Sequence, residues 1–349
     1  MKNVLFVCTS LATQGGISSV VKEFMSSKLN QQYNLYHLAT HINGGDFIKI
    51  TYLLYSYFLF PFVLLFKNID IVHIHGGMRN SFIRKSYFLV IGKLFKKNVI
   101  FHMHSAMIKE NIDKCGAYKK RIIIYLFNKY DAIIAISEYW KKIIQIYTKK
   151  DVYVIYNPIK LRAITSTKIT SNTINVLTLG ELGKRKGTNN IIKIAALLKD
   201  ENIIFTIGGN GNIEHFKSLT KEYNVADKVF FKGWVSGKDK EDLLRKTDIY
   251  FLPSYFEGLP MSILEAMSYG LPVVSTKVGG IPEVIIHGCN GMIHQPDDLD
   301  GFKNSILELK DSPALMRQME KNTLQIIRQF DIDEISEKLG ALYEKFGKH

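Results

Sequence analysis

Cysteine is nearly absent. Cys8, Cys115 and Cys289 are scattered through 349 residues, which excludes a disulfide framework and gives none of them metal-ligand spacing. They fit a reducing cytosol and places in a core. Also lacking is an apolar run of the roughly 20 residues that a membrane-spanning helix needs. The longest candidate, 50–66, is uncharged for seventeen residues but holds Pro61 and lies between two expected strands of one sheet. It reads as a crossover helix, either buried or with its outer face in a lipid interface. The apolar part of MKNVLFVCTS is too short for a secretion signal and reads as a first strand. Acid is scarce in one half only: residues 1–160 carry 22 Lys and Arg against 8 Asp and Glu, and the rest carry 24 against 24. The whole formal charge of +14 therefore sits in the N-terminal half and calls for an anionic partner: a nucleic acid, a membrane surface or a phosphorylated acceptor. No zinc finger or RNP element accompanies the charge, so nucleic acid is not the expected partner.

What is present suffices for two cores, since 46% of the chain is hydrophobic. In the first half, short apolar runs at 4–8, 35–38, 69–73, 99–102, 132–136 and 152–155 are separated by enough chain for crossover helices, the pattern of a Rossmann-like α/β domain. Gly15 and Gly16 follow the first run and precede a helix, so their backbone could approach a phosphate or sugar; a tight turn explains them equally. His73, His75, His102 and His104 stand at or just beyond two expected strand ends, with no nearby Cys or acid to complete a metal site. A Ser/Thr-rich segment, 161–173, reads as a linker. The pattern then restarts, and the loop Glu181-Leu-Gly-Lys-Arg-Lys-Gly187 places Lys184, Arg185 and Lys186 before a helix N-terminus, where cations can neutralise a diphosphate. Asp298-Leu-Asp300 and Asp331-Ile-Asp333 precede helical patterns and read as caps, not as cation-holding motifs. No metal site is expected.

The densest stretch is 249–283, IYFLPSYFEGLPMSILEAMSYGLPVVSTKVGGIPE, read as strand, loop, helix, strand. It carries Glu257 in the loop and Glu265 on the helix, with Gly258, Leu259, Pro260 and Met261 leading into the helix N-terminus. A carboxylate can accept two hydrogen bonds from a vicinal diol, and free backbone N–H groups suit an anion. Those are the needs of a sugar nucleotide. Set between FLPS and GGIPE, the Glu257-x7-Glu265 spacing resembles the signature of the retaining glycosyltransferases of family 4.

That resemblance implies an α/β chain of the GT-B fold, two Rossmann-like domains facing each other across a cleft. An acceptor-side domain would span 1–160 and a nucleotide-sugar domain 174–330, with 331–349 a helix packing back on the first. It implies Glu265 at the ribose diol, and Glu257 with Gly258 to Met261 at the donor sugar and phosphates. Lys186 and Arg185 would meet the leaving phosphate, His104 the transferred sugar, and the backbone around Val235 the base. Gly180-Glu181 stands where the family usually has Gly-Arg, and Arg185 is the substitute. The implied reaction is metal-independent, retaining hexosyl transfer from a nucleoside-diphosphate sugar, a UDP-sugar ahead of a GDP-sugar, with no cofactor. The implied acceptor is a saccharide, free or lipid-diphosphate-linked, in bacterial surface polysaccharide synthesis; the basic N-terminal half, whose lysines flank the apolar segments 47–66 and 87–95, points to a cytoplasmic protein held peripherally at the inner face of an anionic membrane. Two other readings remain: a glycoside hydrolase using Glu257 and Glu265, which would need no basic phosphate elements, and a basic nucleic-acid-binding protein.

Overall fold

A computed structural model describes residues 1–78, 80–162 and 173–346, with the Asn80 side chain set aside. These residues fall into two compact units: Met1–Lys160 with Phe330–His349, and Leu161–Gln329. Most of the linker expected at 161–173 lies outside the described residues.

The first unit is a parallel sheet of β1 (Asn3–Cys8), β2 (Asn34–Ala39), β3 (Ile71–Gly76), β4 (Asn98–Met103), β5 (Ala132–Ala135) and β6 (Val152–Val154), in spatial order β2-β1-β3-β4-β5-β6. Its inner strands are near-continuous apolar runs because helices cover both faces. The helices are α1 (Gly16–Ser26), α2 (Leu29–Gln32), α3 (Asp46–Phe66), α4 (Asn80–Leu94), α5 (Ile108–Asp113), α6 (Ala117–Phe127) and α7 (Glu138–Gln145). The strand expected at 69–73 starts two residues later and runs on to Gly76. Asn68, at φ 45, turns the chain out of α3, and the Asp70 carboxylate accepts the Asn3 amide at 2.8 Å, so Ile69 and Asp70 belong to the turn. His73, His75 and His102 therefore lie inside strands, not at their ends, and only His104 lies beyond. The helix Ile332–Glu344 at the end of the chain also belongs to this unit. Tyr343 is fully buried there, with its hydroxyl 2.5 Å from His73 Nδ1, while Lys2 Nζ donates to the Tyr343 carbonyl at 2.9 Å.

α3 contains Pro61, which has no N–H to give the carbonyl of Tyr57 four residues back. The Tyr87 hydroxyl of α4 donates to that carbonyl at 2.9 Å, and the two tyrosine rings lie 4.2 Å apart. Tyr87→Phe keeps the ring and strands the carbonyl. It is expected to cost about 1 kcal/mol, read as a fall in thermal midpoint, whereas Tyr118→Phe, 80% exposed on α6, should leave the midpoint in place.

The second unit is a parallel sheet of β7 (Ile174–Leu179), β8 (Ile203–Gly208), β9 (Val229–Gly233), β10 (Ile249–Leu252), β11 (Val273–Thr276) and β12 (Gly291–His294), in order β12-β11-β10-β7-β8-β9. Its helices are α8 (Thr188–Leu197), α9 (Ile213–Glu222), α10 (Gly237–Lys246), α11 (Met261–Ser268), α12 (Leu299–Asp311) and α13 (Pro313–Ile326). Val176, Ile191, Phe205, Phe251 and Phe302 lie in the core. Asp298 accepts from the Gly301 amide at 2.9 Å and Asp331 from the Asp333 amide at 2.8 Å, so both Asp-x-Asp triplets are helix caps.

Candidate active site

In the second unit the strand order reverses between β7 and β10: from β7 the chain steps outward through β8 and β9, then returns to the other side of β7. Two loops leave the sheet side by side at such a reversal, and their carboxyl-end crevice is where open α/β sheets take ligands. After β7 comes a loop with a 3₁₀ turn at Lys184–Lys186, and after β10 the loop that enters α11. The two are bonded through Tyr255, whose amide donates to the Arg185 carbonyl at 2.9 Å. Gly187, at φ +69, sits where a Cβ would lie 2.0 Å from the Pro253 carbonyl oxygen. A third loop, after β11, closes on the second: a Cβ at Gly279, φ +53, would lie 1.9 Å from the Glu257 oxygen, and the Gly280 amide donates to Gly258 at 2.8 Å. Only glycine permits both approaches, so these glycines set the relative position of three loops.

The acids and cations named from sequence stand in two pairs on this edge. Glu257 is 5% exposed, and Lys186 Nζ donates to its Oε1 at 2.6 Å, with Arg185 4.0 Å from Oε2. A carboxylate so buried needs a partner, and Lys186, reaching back across Gly180, supplies it. Glu265, one turn into α11, accepts from Lys240 Nζ of α10 at 2.7 Å. Both acids act on one buried group. Burial raises the Tyr250 hydroxyl well above its usual value, and the charges of Glu265 and Glu257 add to the rise. The N-terminus of α11 has no side-chain cap and no acid in its first turn, which leaves it open to an anion. Glu181 is exposed, while Arg185 shares the Glu257 carboxylate. Val235, half-buried, packs over Gly208, where a Cβ would meet its methyl at 2.9 Å.

His104, Gly15 and Gly16 belong to the first unit. Gly15, at φ +152, forms the N-cap of α1, with open space where its Cβ would be. His104 follows β4, and its Nε2 lies 2.9 Å from His75 Nδ1. Behind it His75, His102 and His73 are wholly buried; His73 stacks on both of the others, its plane within 6° of His102, and His75 is tilted by 32° against His102. Ring nitrogens of these three lie within 4.8 Å of one another. Burial holds all four imidazoles neutral: His73 and His104 are lowered to about 3, and His75 and His102 well below 6.5, with neighbouring histidines adding to the fall in the three buried rings.

Two functional candidates escaped the sequence reading. Lys240 offers no local signal, since its partner is 25 residues away on another helix. Lys85 did offer one: it occupies the buried stripe of α4 with Phe82, Phe88 and Leu89. Its ammonium donates to the His75 carbonyl, and burial lowers its pKa to about 8.

Two family sequence profiles match the chain, one described as Glycosyl transferases group 1 over residues 162–325, the other as Glycosyltransferase Family 4 over 15–163. An uncharacterized 41.2 kDa protein in the cps region of Klebsiella pneumoniae is 27% identical over 276 residues, 74% of this chain and 73% of that one. The UDP-Gal:alpha-D-GlcNAc-diphosphoundecaprenol alpha-1,3-galactosyltransferase of Escherichia coli is 27% identical over 173 residues, 47% of this chain and 44% of its own. Among solved structures, HepE of Anabaena in complex with UDP-glucose superposes with a TM-score of 0.80 at 18% identity, covering 99% of this chain and 100% of that one.

Proposed function

We propose, from the premise that this chain is a family 4-like glycosyltransferase of the GT-B fold, that it moves a hexose from a UDP-sugar to a hydroxyl of a saccharide acceptor with retention at the anomeric carbon. Relatives of the chain act in polysaccharide and glycolipid biosynthesis. The reading extends this to a saccharide carried on a lipid diphosphate, like the acceptor for which the Escherichia coli galactosyltransferase is named, during surface polysaccharide assembly by a cytoplasmic enzyme.

The observation that carries the reading is the Lys186–Glu257 pair, 2.6 Å long, in the crevice at the strand-order reversal. A diphosphate at the open N-terminus of α11 would meet the Lys186 ammonium and the Arg185 guanidinium, and both would stabilise the charge that grows on the leaving phosphate. The acceptor oxygen bonds to the anomeric carbon on the face that the phosphate leaves, the bond from that carbon to the phosphate oxygen breaks, and the acceptor proton passes to the departing phosphate. Glu265 would take the ribose diol, the backbone by Val235 the base, and His104 the transferred sugar. Charge compensation by side chains and a helix end leaves no role for a divalent cation. The paired carboxylates fit a hydrolase less well, because each already holds a lysine.

A panel of UDP-, GDP- and ADP-sugars tests the donor. The matching sugar nucleotide at about a hundred times its Kd should stabilise the protein by about 2.7 kcal/mol against thermal unfolding. Transfer should survive EDTA, and the product's anomeric configuration, read by NMR, should equal the donor's. Activity that EDTA abolished and Mn²⁺ restored would remove Lys186 from its assigned task, and an inverted product would remove the mechanism.

A further inference from the structure

From β2 to β5 the connections of the first unit all run the same way along the sheet, so right-handed crossovers lay α3, α4 and α6 side by side on one face. α3 turns a narrow stripe inward, Ser56, Phe60 and Leu64, at intervals of four residues. On the opposite side Ile50, Leu54, Phe58, Phe62, Leu65 and Phe66 are exposed, Phe58 at 69% and Phe66 at 78%. The outer faces of the neighbours continue the pattern, with Ile83, Val90 and Leu94 exposed on α4 and Tyr118, Ile122 and Tyr125 on α6. A water-soluble crossover helix is normally polar on this side, and an apolar surface of this extent marks a partner.

The charge around it says which partner. Exposed Lys67, Arg84, Lys96, Lys119, Arg121 and Lys129 border the apolar side chains. α4 and α6 contain no acid, and the one acid of α3, Asp46, is paired to Lys49. Two copies meeting through this face would bring cation against cation, whereas an anionic lipid surface supplies the opposite charge together with an acyl layer for the aromatics. The seventeen-residue run read from the sequence is part of a helix of 21 residues, so α3, contrary to the expectation above, is long and apolar enough to cross a bilayer; both its ends, however, run into strands of one sheet and its inner stripe is buried beneath the layer. It can lie in the interface but cannot leave the fold.

We propose that the layer formed by α3, α4 and α6 rests on an anionic lipid bilayer, with α3 in the plane of the interface and its outer Phe and Leu side chains among the first acyl carbons. This does not depend on the reaction assigned above. The test is sedimentation of the full chain with phosphatidylglycerol vesicles and with phosphatidylcholine vesicles. The wild-type protein should pellet with the first at low salt and far less with the second. Phe58→Ser/Phe62→Ser/Leu65→Ser should bind about tenfold more weakly with an unchanged melting curve, and Lys119→Glu/Arg121→Glu should reproduce the effect of added salt. Wild-type protein that stays in the supernatant over phosphatidylglycerol vesicles overturns the proposal. So does a triple variant that binds as the wild type does, or a wild-type dimer that the triple variant splits while vesicle binding stays the same.

Discussion

Lys186→Ala is expected to lower kcat about 10²- to 10³-fold at saturating donor while UDP still binds, the effect of removing one preorganised charge from a developing oxyanion. The substitution also strips Glu257 of its 2.6 Å partner and leaves it, among the described residues, Arg185 at 4.0 Å. An unpaired buried carboxylate costs several kcal/mol, so part of any loss could come from unfolding. The double variant Lys186→Ala/Glu257→Gln separates the two causes: it should recover the melting temperature and not the turnover. Glu265→Ala should behave differently, weakening donor binding by about 1–3 kcal/mol and appearing mainly in KM, because a ribose contact is the same in ground and transition states. A double variant with wild-type kcat would return Lys186 to the rank of a structural ion pair.

The second large effect is acid lability of the first unit. In the unfolded chain His73, His75 and His102 titrate near 6.5, whereas burial depresses all three in the fold, His73 to about 3. Below pH 6.5 the unfolded chain therefore binds protons that the folded chain refuses, and stability falls as pH falls. The stabilisation is complete above 6.5. At pH 5.5 each imidazole has cost about 1.4 kcal/mol, or about 4 kcal/mol for the three, against a total stability on the order of 5–15 kcal/mol. The surrounding groups give no relief: Phe6 and Phe24 pack on the rings, the Tyr343 hydroxyl meets His73, and Lys85 adds positive charge beside His75. Urea unfolding followed between pH 7.5 and about 5.5 should show this slope. Both His102 ring nitrogens lack a protein partner among the described residues, so His102→Leu should reduce the part of the slope due to these three rings by about a third and stabilise the protein at the acid end. Stability independent of pH over that range would mean that the cluster takes up protons within the fold.

The parallel α/β architecture was legible because apolar runs of four to six residues alternate with helical spacing, and the switch-point loops because glycines and prolines bracket them. Nothing local marks the β3 boundary: Ile69 is as apolar as Ile71, and only the left-handed turn at Asn68 and the Asp70 bond to Asn3 exclude it from the strand. In the site, Arg185, Lys186 and Glu257 could be named from their loops, but their pairing depends on the Tyr255–Arg185 bond and on Gly187, which come from folding. The Lys240–Glu265 pair joins two helices whose adjacency no periodicity predicts. The imidazole stack has the same origin. His75 and His102 are register partners on neighbouring strands, so their proximity appears only once β3 and β4 are paired.

The helix Ile332–Glu344 belongs to the unit that begins the chain. During synthesis the last strand of that unit ends at Val154, yet Tyr343, which covers His73, is made roughly 190 residues later. At 5–20 residues per second the interval is roughly 10–40 s. Through it the nascent first sheet stands partly uncovered on the ribosome, while the second unit, contiguous in the chain, is made without a break. The order of completion thus inverts the order of synthesis, and a premature stop between Gln329 and Tyr343 leaves the N-terminal sheet, not its neighbour, exposed to proteases and chaperones.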